Sequence, residues 1–177
     1  MNRYVLKPFE SPPSPFAVHV DFSLIENELV VHFSITGNIT SLNLPSPKEN
    51  PTRVEGLYQH TCLEVFLKRG SRYLEWNFGF TGDWCIFLFD DYRTKSSLNI
   101  DLNSSLFSVT HISHCDTEAN FGVRILLSKL GFLGSGDTQI GLSTILEHPE
   151  NKISYWALTH AAHKPDFHQE NSFILTL

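Results

Sequence analysis

Two carboxylates and an amide interrupt an otherwise aromatic part of the sequence. Glu64 lies in "TCLEVFL", and Glu75 and Asn77 lie in "YLEWNF", where each polar residue alternates with large apolar ones. Successive side chains of a strand point to opposite faces of its sheet, so Glu75 and Asn77 share one face. Carboxylates and amides bind ligand hydroxyls, and a pair of carboxylates can also hydrolyse glycosides. The sequence therefore predicts a polar site on one face of a sheet.

The turn that follows decides which aromatic residues share this face. If Thr81 and Gly82 form a two-residue turn, Glu75 pairs with Leu88 and Asn77 with Ile86. The core face then carries Leu74, Trp76, Phe78, Cys85, Phe87 and Phe89, and the other face carries Tyr73, Glu75, Asn77, Gly79, Trp84, Ile86, Leu88 and Asp90. A three-residue loop would instead bury Trp84, because a shift of one residue exchanges the faces of a strand. The mixed face fits either a ligand site or a half-solvated surface, and both interpretations stay open.

Short alternating segments recur along the chain and predict an all-β fold. A hairpin is predicted from residues 17–25 and 28–36, around Glu26-Asn27. Further strands are predicted at 4–9, 60–68, 72–80, 83–90, 104–113, 118–127, 138–147, 152–160 and 173–177, with a proline-rich connector at 10–16 and one helical turn at 128–130. With 177 residues, 41% of them hydrophobic, we expect one domain over 1–177. Its predicted architecture is an antiparallel, jelly-roll-like β-sandwich.

The charge distribution and the cysteines argue against several classes of partner. The 13 basic residues are dispersed in a chain of net charge −6, so we expect no nucleic-acid partner. No apolar run is long enough for a membrane helix, and residues 1–9 lack the pattern of a secretory signal. The three cysteines share no metal-ligand spacing. We expect a cytoplasmic protein with reduced thiols and no membrane partner.

Two blocks of the sequence resemble a known family. Residues 56–93, which include "TCLEVFL", "YLEWNF" and "DDYR", resemble the central block of the bacterial DOMON-like proteins, relatives of the family 9 carbohydrate-binding modules. Residues 154–177, which include "YWALTH" and "PDFH", resemble their C-terminal block. The resemblance covers nearly the whole chain. It implies a jelly-roll-like β-sandwich that binds a carbohydrate-like small molecule without catalysis.

The resemblance also implies roles for particular side chains. Aromatic rings would stack on the sugar, while carboxylates, an amide and a guanidinium would bind its hydroxyls. The expected ligand-binding residues are Glu64, Tyr73, Glu75, Asn77, Trp84, Arg93, Trp156 and His160, with the two tryptophans as stacking surfaces. Arg93 could instead form an ion pair with Glu64 or Glu75. Two other functions stay open, namely a glycoside-acting enzyme that uses Glu64 and Glu75, and a sandwich whose polar face binds another protein.

A histidine-rich segment, "HAAHKPDFH", raises the question of a metal. His160, His163, Asp166 and His168 have suitable ligand atoms for zinc, but we favour loop-anchoring hydrogen bonds for Asp166 and His168. Met1 is the only methionine, which argues against haem with Met and His ligands. No spaced acidic loop is present, although "LFDDYR" and "NIDLN" leave structural calcium open. We therefore expect no cofactor.

Overall fold

A computed structural model describes residues 2–10, 14–131 and 137–177. Residues 11–13 of the predicted proline-rich connector lie outside the described part. The strands are β1 (Asn2–Pro8), β2 (Ala17–Ile25), β3 (Glu28–Thr36), β4 (Cys62–Arg69), β5 (Arg72–Gly79), β6 (Trp84–Asp91), β7 (Thr94–Lys95), β8 (Phe107–His114), β9 (Glu118–Leu126), β10 (Gln139–His148), β11 (Lys152–Ala157) and β12 (Leu175–Thr176). Among the described residues the only helices are short 3-10 turns, one of them at Leu127–Lys129 close to the predicted helical turn.

The strands form two antiparallel sheets that share β1. The first sheet has the order β1-β2-β3-β9-β8, and the second has the order β7-β6-β5-β4-β10-β11. Strand β1 pairs with β2 through residues 2–6 and with β11 through Lys7 and Pro8, so it joins the sheets along one edge. The predicted all-β sandwich is therefore confirmed. No helix in the described ranges is both long enough and apolar enough to cross a membrane.

The alternation seen in the sequence decides where the core lies. In the first sheet Val18, Val20 and Phe33 point inwards, and in the second sheet Val65 and Trp76 meet them. A smaller apolar cluster lies on the outer face of the second sheet, where Phe167 and Phe173 of the segment 165–173 pack against the strands. Its members are Leu57, Cys62, Phe66, Tyr73, Cys85, Phe89, Ile145, Ala157, Phe167 and Phe173. The second sheet is thus buried on both faces, which explains why its strands carry so many aromatic residues.

The two predicted hairpins had different outcomes. The β2–β3 hairpin is confirmed, because Ile25 pairs with Glu28 across the two-residue turn. The predicted β5–β6 register is wrong by one residue, because Glu75 pairs with Phe87 rather than Leu88. The Gly79 and Gly82 backbone groups close a three-residue loop at 80–82, with the Gly79 N–H 2.9 Å from the Asp83 carbonyl oxygen. The faces of β6 are therefore exchanged relative to the two-residue prediction.

Candidate functional site

A pocket of about 340 Å³ lies on the outer face of the second sheet. Strands β4, β5, β6, β7, β10 and β11 form its base and sides, and residues 165–168 close it from above the sheet. The lining residues are Tyr58, Glu64, Glu75, Phe87, Phe89, Arg93, Lys95, Ile145, Tyr155, Pro165, Asp166, Phe167 and His168. Charged groups and aromatic rings thus line the same cavity.

Glu64 and Glu75 are buried, yet each keeps one oxygen without a hydrogen bond. Glu64 is 2% exposed and accepts a hydrogen bond from the Ser143 hydroxyl on Oε2, at 2.7 Å. Glu75 is 5% exposed and accepts one from the Asn77 amide on Oε1, at 2.6 Å. Among the described residues, no donor forms a hydrogen bond with Oε1 of Glu64 or Oε2 of Glu75. Because both residues line the cavity, these two oxygens are available to a ligand.

Burial makes both carboxyl groups weaker acids than usual. Burial and then the neighbouring Glu75 raise the pKa of Glu64 to about 8. Burial also raises the pKa of Glu75, although the Asn77 hydrogen bond, Arg93 and Lys95 oppose the shift. At neutral pH Glu64 therefore holds a proton and can donate a hydrogen bond, while Glu75 is the better acceptor of the pair.

Asp166 fixes the segment that closes the pocket. Its carboxylate accepts hydrogen bonds from the Tyr92 hydroxyl at 2.5 Å, the Arg93 guanidinium at 2.8 Å and the Gln169 amide at 2.8 Å. A fourth comes from the backbone N–H of His168 at 3.1 Å. Burial disfavours the ionised form, but these donors outweigh it and hold the pKa of Asp166 well below its usual range. Asp166 is therefore ionised at neutral pH, and its charge is matched by Arg93.

His168 is held as a neutral ring beside Glu75. The Tyr73 hydroxyl oxygen accepts the Arg93 backbone N–H at 3.0 Å and lies 2.9 Å from Nδ1 of His168. Because its oxygen already accepts one hydrogen bond, we assign the Tyr73 proton to the bond with Nδ1, which leaves the ring proton on Nε2. That Nε2 is 3.7 Å from Oε2 of Glu75. Burial and then Arg93 lower the pKa of His168 to about 4, in agreement with a neutral ring.

Partly exposed aromatic rings form the walls of the pocket. Tyr58 is exposed, and Phe87 and Tyr155 are half-buried. The Lys95 ammonium lies over the Phe87 ring, 4.3 Å from its centre. These rings offer apolar surface next to the polar groups of the floor, which is the usual composition of a small-molecule site.

The structure brings together only some of the predicted ligand-binding residues. Glu64, Glu75 and Arg93 line the pocket, and Asn77 and Tyr73 lie behind it, where they hydrogen-bond to Glu75 and His168. His160 does not line it, because Nε2 of its ring lies 2.8 Å from the Lys7 carbonyl oxygen.

The predicted stacking role of Trp84 and Trp156 requires correction. Both rings lie in the main core between the sheets, with exposures of 9% and 2%. Trp84 is there because the loop at 80–82 is one residue longer than predicted, and Trp156 because Tyr155 is the residue of β11 that faces the pocket. The same additional loop residue explains why the sequence did not place Phe87 in the pocket. Phe167 gave no signal, because its position depends on how the segment after β11 folds back over the sheet.

The histidine-rich segment does not form a metal-binding cluster. Within the described ranges, no group of three or more His, Cys, Asp or Glu side chains is arranged to hold a metal ion. Asp166 and His168 instead anchor the segment by hydrogen bonds, as described above. His163 is exposed at the surface.

Comparison with known proteins identifies the class of fold. No protein-family model and no curated protein matches the sequence. Among solved structures, the chain resembles a Bacteroides uniformis protein provisionally named carbohydrate-binding, with a TM-score of 0.62, 11% identity, and coverage of 97% of this chain and 84% of that one. It also resembles a family 9 carbohydrate-binding module from Caldicellulosiruptor kristjanssonii in complex with glucose, with a TM-score of 0.50, 13% identity, and coverage of 86% and 72%. The chain has a β-sandwich fold like that of the family 9 carbohydrate-binding modules.

Proposed function

We propose that this protein is a non-catalytic binding domain for a small carbohydrate, and that the pocket on the second sheet is its binding site. The observation that carries the proposal is the pair of buried carboxyl groups, Glu64 and Glu75, each with one oxygen available to a ligand. The fold supports the proposal, because one structure of similar fold contains bound glucose. The resemblance of residues 56–93 and 154–177 to bacterial DOMON-like proteins is in keeping with it.

The chemistry of the pocket suits a sugar of one or two rings. Its volume of about 340 Å³ lies at the lower end of the range of small-ligand sites. A protonated Glu64 donates to one hydroxyl and Oε2 of Glu75 accepts from its neighbour, so the pair can bind adjacent hydroxyls. Tyr155 and Phe87 offer ring surface to the C–H face of the sugar.

Calorimetric titration against a panel of mono- and disaccharides tests the proposal. We expect at least one sugar to bind the wild type, and Tyr155→Ala and Glu75→Gln each to weaken that sugar about tenfold, the usual effect of losing one good contact. Ser108→Ala is the matched control, because Ser108 is exposed on β8 at the far edge of the first sheet. Failure of the wild type to bind any sugar of the panel would overturn the proposal.

A second function is favoured by one observation, the raised pKa of Glu64 beside Glu75. A protonated carboxyl next to a carboxylate is the arrangement that a glycosidase uses for its acid and its nucleophile or base. Under this alternative, nitrophenyl glycosides would be hydrolysed by the wild type and not by Glu64→Gln. Under the binding function we expect no hydrolysis by either protein.

A further inference from the structure

We propose that the pocket selects an amino sugar, in which an ammonium group replaces one hydroxyl, over the corresponding neutral sugar. This inference rests on the proposed function, because it names the class of sugar that the same pocket binds. Its basis is the balance of charge at the floor of the pocket.

No Lys or Arg side chain in the described part of the chain forms an ion pair with either carboxyl group of the floor. Among the residues described, the one basic group within ion-pair distance of either is His168, 3.7 Å from Glu75, and burial and Arg93 lower its pKa so that its ring is neutral. Arg93 is paired with Asp166 at 2.8 Å. Lys95 lies over the Phe87 ring and forms no ion pair with Glu64 or Glu75. Buried carboxylates are normally paired or protonated, and the floor lacks a cation in direct contact with it.

The free protein compensates for this lack with a proton. The raised pKa of Glu64 means that this carboxyl stays neutral near pH 7. A ligand ammonium offers a positive charge and three donors, and it can contact both Oε1 of Glu64 and Oε2 of Glu75. It therefore replaces the proton. A neutral hydroxyl offers one donor and no charge, and leaves the proton on Glu64.

The other titratable groups around the pocket do not supply this charge. Arg93 and Asp166 neutralise each other. Burial raises the pKa of Tyr73 to about 12 and raises that of Cys62, so both are neutral near pH 7. If both floor carboxylates ionise, Lys95 balances one of them at longer range, and one negative charge remains for the ligand.

Matched sets of ligands test the inference on the wild-type protein. Each set comprises an amino sugar, its neutral parent and its N-acetyl derivative, for example glucosamine, glucose and N-acetylglucosamine, together with the galactose series. Titration calorimetry at pH 6.5, where the sugar amine is ionised, should show the amino sugar binding about 10- to 100-fold tighter than the other two, as expected for an added charged contact. Repetition in two buffers of different ionisation enthalpy should show roughly one proton released per amino sugar and none per neutral sugar.

The variant Glu64→Gln imitates the protonated carboxyl and cannot lose a proton. We expect it to reduce the ratio of amino-sugar to neutral-sugar affinity about tenfold, because the contact with an ionised Glu64 is gone and only the contact with Glu75 remains. The matched control, Glu28→Gln, changes a carboxylate that pairs with Arg124 on the first sheet, and should keep the wild-type ratio. Unfolding curves check that both variants are folded.

The outcomes separate this inference from the proposed function. Equal binding of all three members of every set, without proton release, overturns the inference and leaves sugar binding in place. A preference that is undiminished in Glu64→Gln also overturns it, because the ammonium would then make no contact with Glu64. If neither neutral nor amino sugars bind, the proposed function fails, and the inference fails with it.

Discussion

The Arg93 guanidinium donates a hydrogen bond to Asp166, at 2.8 Å, and so joins the turn between β6 and β7 to the segment that follows β11. The two residues are 73 positions apart in the sequence. The same turn presents the Arg93 backbone N–H to Tyr73, which holds His168. One wall of the pocket therefore depends on an ion pair between distant parts of the chain.

Removal of the Asp166 charge should destabilise the protein at neutral pH. Asp166→Asn keeps the shape but weakens hydrogen bonds to a buried carboxylate, and we expect the free energy of unfolding to fall by about 2 kcal/mol. The folded pKa of Asp166 is depressed, so this contribution is present above the ordinary carboxyl pKa and is lost as the pH falls towards the folded value. Urea unfolding of the wild type and of Asp166→Asn at pH 7 and pH 3 measures this contribution to the free energy of unfolding.

A matched control for Asp166→Asn is Glu150→Gln, which disrupts an exposed pair with Lys152 and should change stability little. Equal unfolding midpoints for Asp166→Asn and the wild type at pH 7 would contradict the anchoring role of Asp166.

Unlike Asp166→Asn, the substitution Glu64→Gln should stabilise the protein at high pH. The folded pKa of Glu64 is raised to about 8, so the folded state binds more protons than the unfolded state between pH 4.5 and 8. Wild-type stability from this group is therefore greatest below the unfolded pKa and declines as the pH rises through about 8. A neutral amide avoids this decline, so we expect Glu64→Gln to be the more stable protein at pH 9 by at least about 1 kcal/mol.

Denaturant unfolding at pH 5, 7 and 9 checks this expectation. The difference between Glu64→Gln and the wild type should grow across the series. A difference that is constant with pH, or that shrinks, would show that Glu64 ionises as readily in the folded protein as in the unfolded chain.

Trp84 and Tyr155 should respond differently to substitution by alanine. Trp84 packs against Phe107 in the main core, with ring centres 5.3 Å apart, so Trp84→Ala should cost about 3–5 kcal/mol of stability. Tyr155→Ala should cost less stability and should weaken sugar binding, because the ring lines the pocket. Thermal unfolding and sugar titration of both variants give the comparison. Strong loss of affinity in a folded Trp84→Ala protein would instead support the shorter turn.

The sequence predicted the strands better than it predicted their faces. The β2–β3 hairpin was predictable because Glu26-Asn27 forms the whole turn, and Glu26 adopts the left-handed conformation with φ 54°. In the β5–β6 hairpin, Thr81-Gly82 looked like the same kind of turn, but Phe80 belongs to the loop as well. One additional loop residue moved Trp84 into the core and Phe87 into the pocket.

The carboxylates of the site were predictable, and the segment above them was not. Glu64 and Glu75 stood out because carboxylates are rarely found within aromatic strands. Asp166 and His168 were identified as loop anchors, but nothing local in "PDFH" indicated contacts with Tyr92, Arg93 or Tyr73. Such contacts depend on how the complete chain packs, which periodicity does not report.

The contact between the loop at 80–82 and Pro51 can be tested directly by substitution of a glycine in the loop. Gly82 adopts φ +85°, and a Cβ atom there would lie 2.8 Å from Cγ of Pro51. Gly82→Ala combines backbone strain with this close contact, so we expect a loss of about 3 kcal/mol in the free energy of unfolding. Gly70, in the turn between β4 and β5, has φ +61°, but a Cβ atom there would meet no atom of the described residues within 4 Å, so Gly70→Ala should cost only about 1 kcal/mol. Denaturant unfolding of both variants measures the difference, and equal losses would argue against the contact between the loop and Pro51.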